Sequence, residues 1–172
     1  MKIKELPSQE YLIECFSYDQ SLGILKWNNR PRSHFLSEHS WKRWNTIYSG
    51  TSAGSEMSGY ISIGISGIRY KAHRIIWKLK TGKEPVNLID HINGIESDNS
   101  WDNLREATSA QNIVNSCIPK NNHLGVKGIR KTKFGYMARL CKKSLGTFTT
   151  IEEAKNAYDM ASLIKYGEYA RP

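Results

Sequence analysis

A change in hydrophobic period is the clearest pattern in the chain, and it predicts a hairpin followed by a helix. Three isoleucines at alternate positions share one face of a predicted strand over residues 60–65. Ser66-Gly67 is typical of a tight turn, and residues 68–71 form the predicted return strand. Over residues 72–81 the apolar positions recur three and four apart. This spacing predicts a helix that buries one face and ends at Gly82.

The other predicted elements are shorter and give the chain an α+β character. A capping box from Thr108 to Gln111 predicts that a helix begins near Ser109. A second capping box begins at Thr150, and the helix behind it should end near Gly167. The inward face of that helix is predicted to carry Ala154, Ala157, Tyr158, Ala161 and Ile164. The remaining predicted elements are a helix over 8–16 and strands over 24–27, 85–89, 125–131, 136–141 and 145–148.

The composition allows a hydrophobic core and gives no sign of a membrane segment. A hydrophobic content of 39% over 172 residues suits one ordinary domain or two small ones. No apolar run approaches the roughly 18 residues that cross a membrane, and the first residues do not resemble a signal peptide. We therefore expect a cytoplasmic protein without membrane contact. Cys15, Cys117 and Cys141 include no Cys-x-x-Cys pair, which predicts buried reduced thiols rather than disulfides or a zinc cluster.

The net charge of +9 is distributed unevenly along the chain. Residues 1–118 carry 14 basic and 12 acidic side chains, whereas residues 119–172 carry 11 basic and 4 acidic ones. Eight basic residues and no acidic residue lie between Lys120 and Lys143. A solvated basic surface is one explanation, but so one-sided a segment favours contact with a polyanion, since cations that neutralise phosphates release bound counterions.

Residues 28–58 follow no clear period, although a structureless loop of this length is unusual in a compact domain. One interpretation is an insertion that contacts DNA through its basic and aromatic side chains. The other is a loop that is packed by its own tryptophans. The residues in question are Arg30, Arg32, Trp41, Lys42, Arg43 and Trp44.

The residues from Leu88 to Asn115 combine groups that suit hydrolysis of a phosphodiester. That reaction needs a base for water, a cation for the phosphate oxygens and a fixed geometry. His91 titrates near the right pH to be the base, and the oxygens of Asp90 and Asn112 suit a hard divalent cation such as Mg²⁺. A polar hairpin capped by a helix is the alternative that this spacing alone leaves open.

This region resembles the HNH nuclease motif, in particular that of the phage and intron-encoded HNH homing endonucleases. The resemblance implies a ββα-metal fold in which His91 is the general base and Asp90 and Asn112 bind the metal. It also implies that Asn103 holds the loop through backbone hydrogen bonds. Asn112 stands where many relatives have a final histidine. The matching residues are Asp90-His91-Ile92-Asn93-Gly94, Asp102-Asn103-Leu104-Arg105, Ala107-Thr108 and Gln111-Asn112-x-x-Asn115.

Three further residues near this motif are candidate accessory residues: His73, Arg105 and Asn115. His73 follows the predicted hairpin, in a segment that resembles the one preceding the motif in phage members. A packed, hydrogen-bonded scaffold role is the more common one for a histidine at such a position.

The C-terminal segment resembles the AP2 DNA-binding domain, a three-stranded sheet with one packed helix that binds in the DNA major groove. The matching residues are Gly125-Val126-x-Gly128, Tyr136-x-Ala138-Arg139, Leu145-Gly146-x-Phe148 and Glu152-Glu153-Ala154-x-x-Ala157-Tyr158-Asp159-x-Ala161. Arginines on the sheet would read guanine edges and lysines would bind phosphates. The expected DNA-binding residues are Lys127, Arg130, Lys131, Lys133, Tyr136 and Arg139.

Together these patterns predict an α+β nuclease region over residues 1–116, with its HNH motif at 88–116. A linker is expected at 117–122 and an AP2-like domain at 123–172. The predicted activity is hydrolysis of double-stranded DNA with Mg²⁺ or Mn²⁺, by a monomer or weak dimer in a phage-infected bacterium. A DNA-binding regulator with an inactive nuclease fold and a non-specific degradative nuclease are the alternatives.

Overall fold

The computed structural model describes residues 4–119 and 121–171 as a mixed α/β protein with small sheets. The chain divides into two compact units, Met1–Glu106 and Ala107–Pro172. Each unit is described by itself below. None of the helices in the described ranges is long and apolar enough to cross a membrane.

Within the described residues, the first unit has three helices and seven strands arranged in small sheets. A first pair of strands, β1 and β2, forms one sheet; β3, β4 and β5 form a second; and β6 pairs with β7 in a third. The helices are α1 (Gln9–Cys15), α2 (Glu38–Tyr48) and α3 (Ala72–Thr81). The strands are β1 (Phe16–Asp19), β2 (Ile24–Trp27), β3 (Ser55–Met57), β4 (Tyr60–Ile65), β5 (Ile68–Lys71), β6 (Leu88–His91) and β7 (Leu104–Ala107).

The hydrophobic core of the first unit forms between α1, the second sheet and α3. Ile63 and Ile65 of β4 are buried, and Ile61 packs against the same core. Ile75 and Ile76 of α3 are fully buried. The predicted hairpin, the helix behind it and the left-handed cap at Gly82 are therefore confirmed.

Residues 28–58 are ordered by their own aromatic side chains and contain a helix that the sequence pattern did not predict. Arg30 is buried, and its guanidinium lies 4.8 Å from the centroid of the Trp44 ring. The backbone oxygen of Arg30 accepts a hydrogen bond of 2.8 Å from the indole N–H of Trp41. Since Arg30 and both tryptophans are used in packing, the structure favours the self-packed interpretation for these three residues. Arg32, Lys42 and Arg43 remain exposed.

The second unit is a three-stranded antiparallel sheet with two helices. Its strand order is β10-β9-β8. The helices are α4 (Ser109–Asn115) and α5 (Ile151–Tyr166), and the strands are β8 (Ile129–Thr132), β9 (Gly135–Leu140) and β10 (Lys143–Phe148). Ala138 and Ala154 are fully buried, so α5 lies close to the middle strand.

Gly128 explains why β8 begins four residues later than the predicted strand. Its φ is +66°, and a β-carbon there would lie 2.3 Å from the Tyr158 ring and 2.5 Å from the Arg139 carbonyl oxygen. A residue with a side chain would be strained in this conformation and would also clash. The glycine thus allows the chain to turn before it enters the sheet.

Helix α4 packs within the second unit, although the sequence placed it with the nuclease region. Val114 is buried in one cluster with Leu140 and Tyr158. The Lys127 ammonium donates hydrogen bonds to the backbone oxygens of Val114, at 3.0 Å, and Arg171, at 2.8 Å. The chain divides after Glu106, and these contacts hold α4 in the second unit.

Two smaller expectations were wrong. Ile164 is 83% exposed, because it lies at the edge of the buried stripe of α5 that contains Ala154, Tyr158 and Ser162. Of the three free thiols, Cys15 is buried, whereas Cys117 and Cys141 are exposed.

Candidate active site

The candidate base and a candidate metal ligand lie at the end of β6, where a short apolar run enters the protein. Ile89 is buried and anchors the strand, and Asp90 and His91 that follow are each only 4% exposed. Strand β7 pairs with β6, and the backbone N–H of Ile92 donates a hydrogen bond of 2.9 Å to the oxygen of Asn103. The ribbon therefore holds both polar side chains in a fixed, largely buried place.

The loop between the two strands is braced by amide and carboxylate side chains. Asn103 accepts a hydrogen bond of 2.9 Å from the Asn93 backbone N–H and donates one of 2.7 Å to the backbone oxygen of Asp98. Asn93 also donates a hydrogen bond of 2.7 Å to the Asp98 carboxylate. Hydrogen bonds from Ser100 are the main reason why the pKa of Asp98 lies below its ordinary value. Asn103 thus holds both ends of the loop.

His91 is oriented by Asn99, a residue that the sequence did not single out. The Nε2 atom of His91 lies 3.2 Å from Oδ1 of Asn99, which is 2% exposed. Because an amide oxygen only accepts, Nε2 carries the proton in this contact, and Nδ1 is then the basic nitrogen. Burial lowers the pKa of His91, so the imidazole is neutral at neutral pH. A neutral, oriented imidazole is the form that a general base requires.

A second histidine and a tyrosine pack against His91. The ring centroids of His73 and His91 are 5.1 Å apart in an edge-to-face arrangement. The Tyr60 ring lies 5.6 Å from His73 and 6.1 Å from His91. Burial, together with the neighbouring His91, lowers the pKa of His73 to about 3. The first turn of α3 thus brings an imidazole that is neutral at neutral pH beside the candidate base.

The Tyr60 side chain links this cluster to a cation and a carboxylate. The Lys71 ammonium lies 3.1 Å from the centroid of the Tyr60 ring, a cation–π contact. Burial and a hydrogen bond with Glu96 raise the pKa of Tyr60 to about 12. The lysine therefore places positive charge on the aromatic cluster that also contains both histidines.

Asp90 is fixed by Arg105, the accessory residue on β7. The Nε atom of Arg105 donates a hydrogen bond of 3.0 Å to Oδ2 of Asp90, and both side chains are largely buried. Carboxylate oxygens are a ligand type that hard divalent cations prefer, so Asp90 is the candidate metal ligand on β6. The described residues contain no group of three or more His, Cys, Asp or Glu side chains that could hold a metal ion.

Asn112 and Asn115 lie on α4, in the second unit. The capping box at Thr108 is confirmed: its hydroxyl accepts from the Gln111 backbone N–H at 3.3 Å, and the Gln111 side chain accepts from the Thr108 N–H at 2.8 Å. Asn112 is half-buried and Asn115 is 3% exposed. Any role of Asn112 as a ligand is therefore implied by the resemblance alone.

The strand register shows which basic residues lie on the open face of the sheet in the second unit. Ile129 pairs with Ala138, and both face α5; Arg130 and Arg139 are exposed and point to the opposite, open face. Lys131 pairs with Tyr136 and shares the α5 side of the sheet.

Two of the expected DNA-binding residues make packing contacts within the second unit. Tyr136 packs against the core beneath α5, and the Lys127 ammonium is held by backbone oxygens as described above. Of the expected residues, Arg130 and Arg139 lie on the open face, and DNA binding by the whole set stays a prediction. Lys131 and Lys133 are exposed at the edge and in the turn.

Comparison with known proteins finds a nuclease family model that matches the segment around His91. Residues 70–114 match the family model described as HNH endonuclease. The chain is 32% identical over 111 residues to a protein of Acanthamoeba polyphaga mimivirus that is named an uncharacterized HNH endonuclease. It is 38% identical over 68 residues to a protein of Escherichia phage T7 that is named Protein 3.8.

These matches are partial. They cover 60% and 37% of this chain, and the chain spans a little more than half the length of each relative, 57% and 56%. No solved structure gives a significant match. The matched segment begins at Tyr70 and ends at Val114, so it contains His73, Asp90, His91, Asn99 and Asn103. The family match thus covers the candidate base and the loop that orients it.

Proposed function

We propose that this protein is an HNH endonuclease that hydrolyses a phosphodiester bond of double-stranded DNA. The observation that carries the proposal is the contact between His91 and Asn99 inside the matched segment. It holds a neutral imidazole, with one defined basic nitrogen, next to a buried carboxylate. Pure DNA binding requires neither the orientation of the imidazole nor the burial of Asp90.

The residues present fit a divalent metal ion with oxygen ligands. Asp90 supplies a carboxylate that Arg105 already fixes in place. Asn112 supplies an amide oxygen, and the resemblance names it as the second ligand. Mg²⁺ is the expected ion, with Mn²⁺ as the substitute, because hard oxygen ligands and water suit both. When bound, such an ion would stabilise negative charge on the phosphate oxygens.

The residues of the chain perform the remaining tasks. His91 takes a proton from the attacking water at Nδ1, while Asn99 keeps Nε2 protonated. Asn103 and Asp98 hold the loop that carries Asn99, so they position the base rather than touch the substrate. The family resemblance implies products with 3′-hydroxyl and 5′-phosphate ends.

We also propose that the second unit binds DNA as an AP2-like domain over residues 123–172. Its three-stranded sheet with one packed helix supports this, as does the open face with Arg130 and Arg139. Arg130 and Arg139 would contact base edges, and Lys131 and Lys133 would contact phosphates. Such a unit would make the nuclease site-preferring, as homing endonucleases are. A monomer with one active site would nick one strand, and a weak dimer would cut both, inside a phage-infected bacterial cell.

A plasmid nicking assay tests the activity. The wild-type protein with Mg²⁺ should convert supercoiled plasmid to the nicked form, and His91→Ala should lower the rate about 100-fold or more, since it removes the general base. The exposed His39 provides a matched control, His39→Ala, which should nick like the wild type. DNA binding by His91→Ala in a gel-shift assay should be unchanged.

The alternatives give different results in the same assay. A regulator with an inactive nuclease fold would bind DNA and not nick it in any variant. A degradative nuclease would nick at random positions, whereas a homing-type enzyme would produce a few preferred cleavage sites in a mapped genomic library. Equal rates for the wild type and His91→Ala would exclude His91 as the base.

A further inference from the structure

His73 is a buried polar side chain whose hydrogen-bonding groups are not used within the described part of the chain. It is 6% exposed and lies in the first turn of α3, among the buried residues Ala72, Ile75 and Ile76. Its contacts are with the rings of Tyr60 and His91. Across residues 4–119 and 121–171, no hydrogen bond reaches either nitrogen of His73.

A purely structural role does not explain a histidine here. Buried polar groups nearly always have a hydrogen-bond partner. Neither nitrogen of His73 is among the fully enclosed polar atoms of the described residues that lack a partner, so solvent reaches the imidazole in the free protein. A phenylalanine or leucine would fill the same space among the isoleucines without needing any hydrogen-bond partner. The imidazole is therefore suited to a partner that arrives from outside the chain, through the 6% of its surface that remains exposed.

The surroundings of His73 indicate the chemistry of that partner. The imidazole lies 5.1 Å, between ring centroids, from His91, the proposed base. Its other neighbour, Tyr60, carries the Lys71 ammonium on its ring, 3.1 Å from the centroid. Because the imidazole is neutral at neutral pH, it presents one N–H donor. A donor beside a cation and a general base suits a phosphate oxygen.

We propose that His73 contacts the substrate: its imidazole N–H donates a hydrogen bond to a non-bridging oxygen of the phosphate that is cleaved. This role rests on the proposed nuclease function and deepens it. His73 transfers no proton in this role, since His91 takes the proton from water. The contribution of His73 is to hold the phosphate and to stabilise the charge that develops on its oxygens.

Two variants separate this role from packing. His73→Phe keeps an aromatic ring and loses the N–H, whereas His73→Asn is smaller but keeps an N–H donor close to the position of Nδ1. We expect His73→Phe to lower the single-turnover nicking rate by about 10- to 100-fold, the effect of losing one preorganised donor. His73→Asn should nick at least about tenfold faster than His73→Phe, although it packs less well. If packing were the role, the order of the two variants would be reversed.

A sulfur-substituted substrate gives a readout that packing would not change. Replacing one non-bridging oxygen at a mapped cleavage site by sulfur weakens hydrogen bonds to that position. One of the two phosphorothioate diastereomers should therefore slow the wild type and His73→Asn but have little further effect on His73→Phe. If the rate effects of His73→Phe and of sulfur substitution multiplied for both diastereomers, a direct contact between His73 and the phosphate would be contradicted.

The outcomes distinguish this proposal from the proposed function. If His73→Phe nicks DNA at the wild-type rate, the proposed contact of His73 is overturned and the proposed nuclease function stands. A wild-type protein that does not nick with Mg²⁺ or Mn²⁺ overturns both.

Discussion

The amide oxygen of Asn99 lies 3.2 Å from Nε2 of His91, and this contact determines which imidazole nitrogen carries the proton. Asn99 is buried and is held by further hydrogen bonds. Its side-chain N–H donates to the Ser97 backbone oxygen at 3.1 Å, and its own backbone oxygen accepts from the Tyr18 hydroxyl at 2.8 Å. The orientation of the base thus depends on Asn99, which is not one of the residues after which the HNH motif is named.

We predict that Asn99→Leu lowers the nicking rate by about 10- to 100-fold, the usual effect of losing a residue that orients a catalytic group. Leucine has a similar size and cannot accept the hydrogen bond from Nε2, so the imidazole loses its defined tautomer and orientation. Asn87→Leu changes an exposed asparagine of the same unit and should nick like the wild type. A wild-type rate for Asn99→Leu would show that the contact is not used in catalysis.

The depressed pKa of His73 predicts that acid destabilises the first unit. In the unfolded chain a histidine titrates near 6.5, whereas in the folded chain His73 titrates at about 3. Below pH 6.5 the unfolded state therefore binds the extra proton, and stability is lost as the pH falls toward 3, by about 1.4 kcal/mol per pH unit.

His73→Phe should remove this contribution. When the pH is lowered from 6.5 to 5, the free energy of unfolding should therefore fall by about 2 kcal/mol less in His73→Phe than in the wild type. All five tryptophans lie in the first unit, so tryptophan fluorescence during urea unfolding reports on that unit. His39→Phe controls for the loss of a histidine at the surface. Parallel pH curves for His73→Phe and the wild type would contradict the prediction.

Arg130→Ala and Arg139→Ala should each weaken DNA binding and relax site preference, because both side chains lie on the open face of the sheet. A lost arginine contact to a base is expected to cost about 1–3 kcal/mol of discrimination. Lys165→Ala removes the same charge from α5, on the other side of the sheet, and should have little effect on site preference. The measurement is binding to the preferred site and to random DNA at two salt concentrations. Equal losses for all three variants would mean that only net charge matters.

Lys127→Met should destabilise the second unit by about 1–2 kcal/mol, since it removes two charge-assisted hydrogen bonds from a partly buried ammonium. Amide hydrogen exchange of β9 reports on this unit and should become faster. Lys131→Met removes an exposed cation and should leave the exchange rates unchanged. Weaker DNA binding by Lys127→Met with unchanged exchange would restore Lys127 as a DNA contact.

The sequence predicted the elements whose hydrophobic period is regular and missed helix α2, which lacks a regular period. Strands β4 and β5 and helix α3 follow from alternation and helical spacing, because each buries one apolar face. Helix α2 has no fully buried residue, and its capping box uses Ser37 and Ser40 rather than an acidic or amide partner, so no pattern indicated it.

The candidate site was predictable where one short segment carries it and not where loop conformation decides the contact. Asp90 and His91 follow a buried strand and are adjacent in sequence. The pairing of His91 with Asn99 spans eight residues and depends on the hydrogen bonds that Asn103 and Asp98 make across the loop. The alternation of the C-terminal sheet was also misassigned, since Gly128 delays the start of β8.

The packing of Val114 and Lys127 has a consequence for how such proteins can be recombined. Helix α4 carries the proposed ligand Asn112, yet its buried contacts are with the sheet and the C-terminal end of the second unit. A chimera that joins this nuclease region to a foreign DNA-binding domain at residues 117–122 would leave Val114 without its native neighbours. The natural point of exchange lies near Glu106, so a grafted domain has to bring its own copy of the last motif helix.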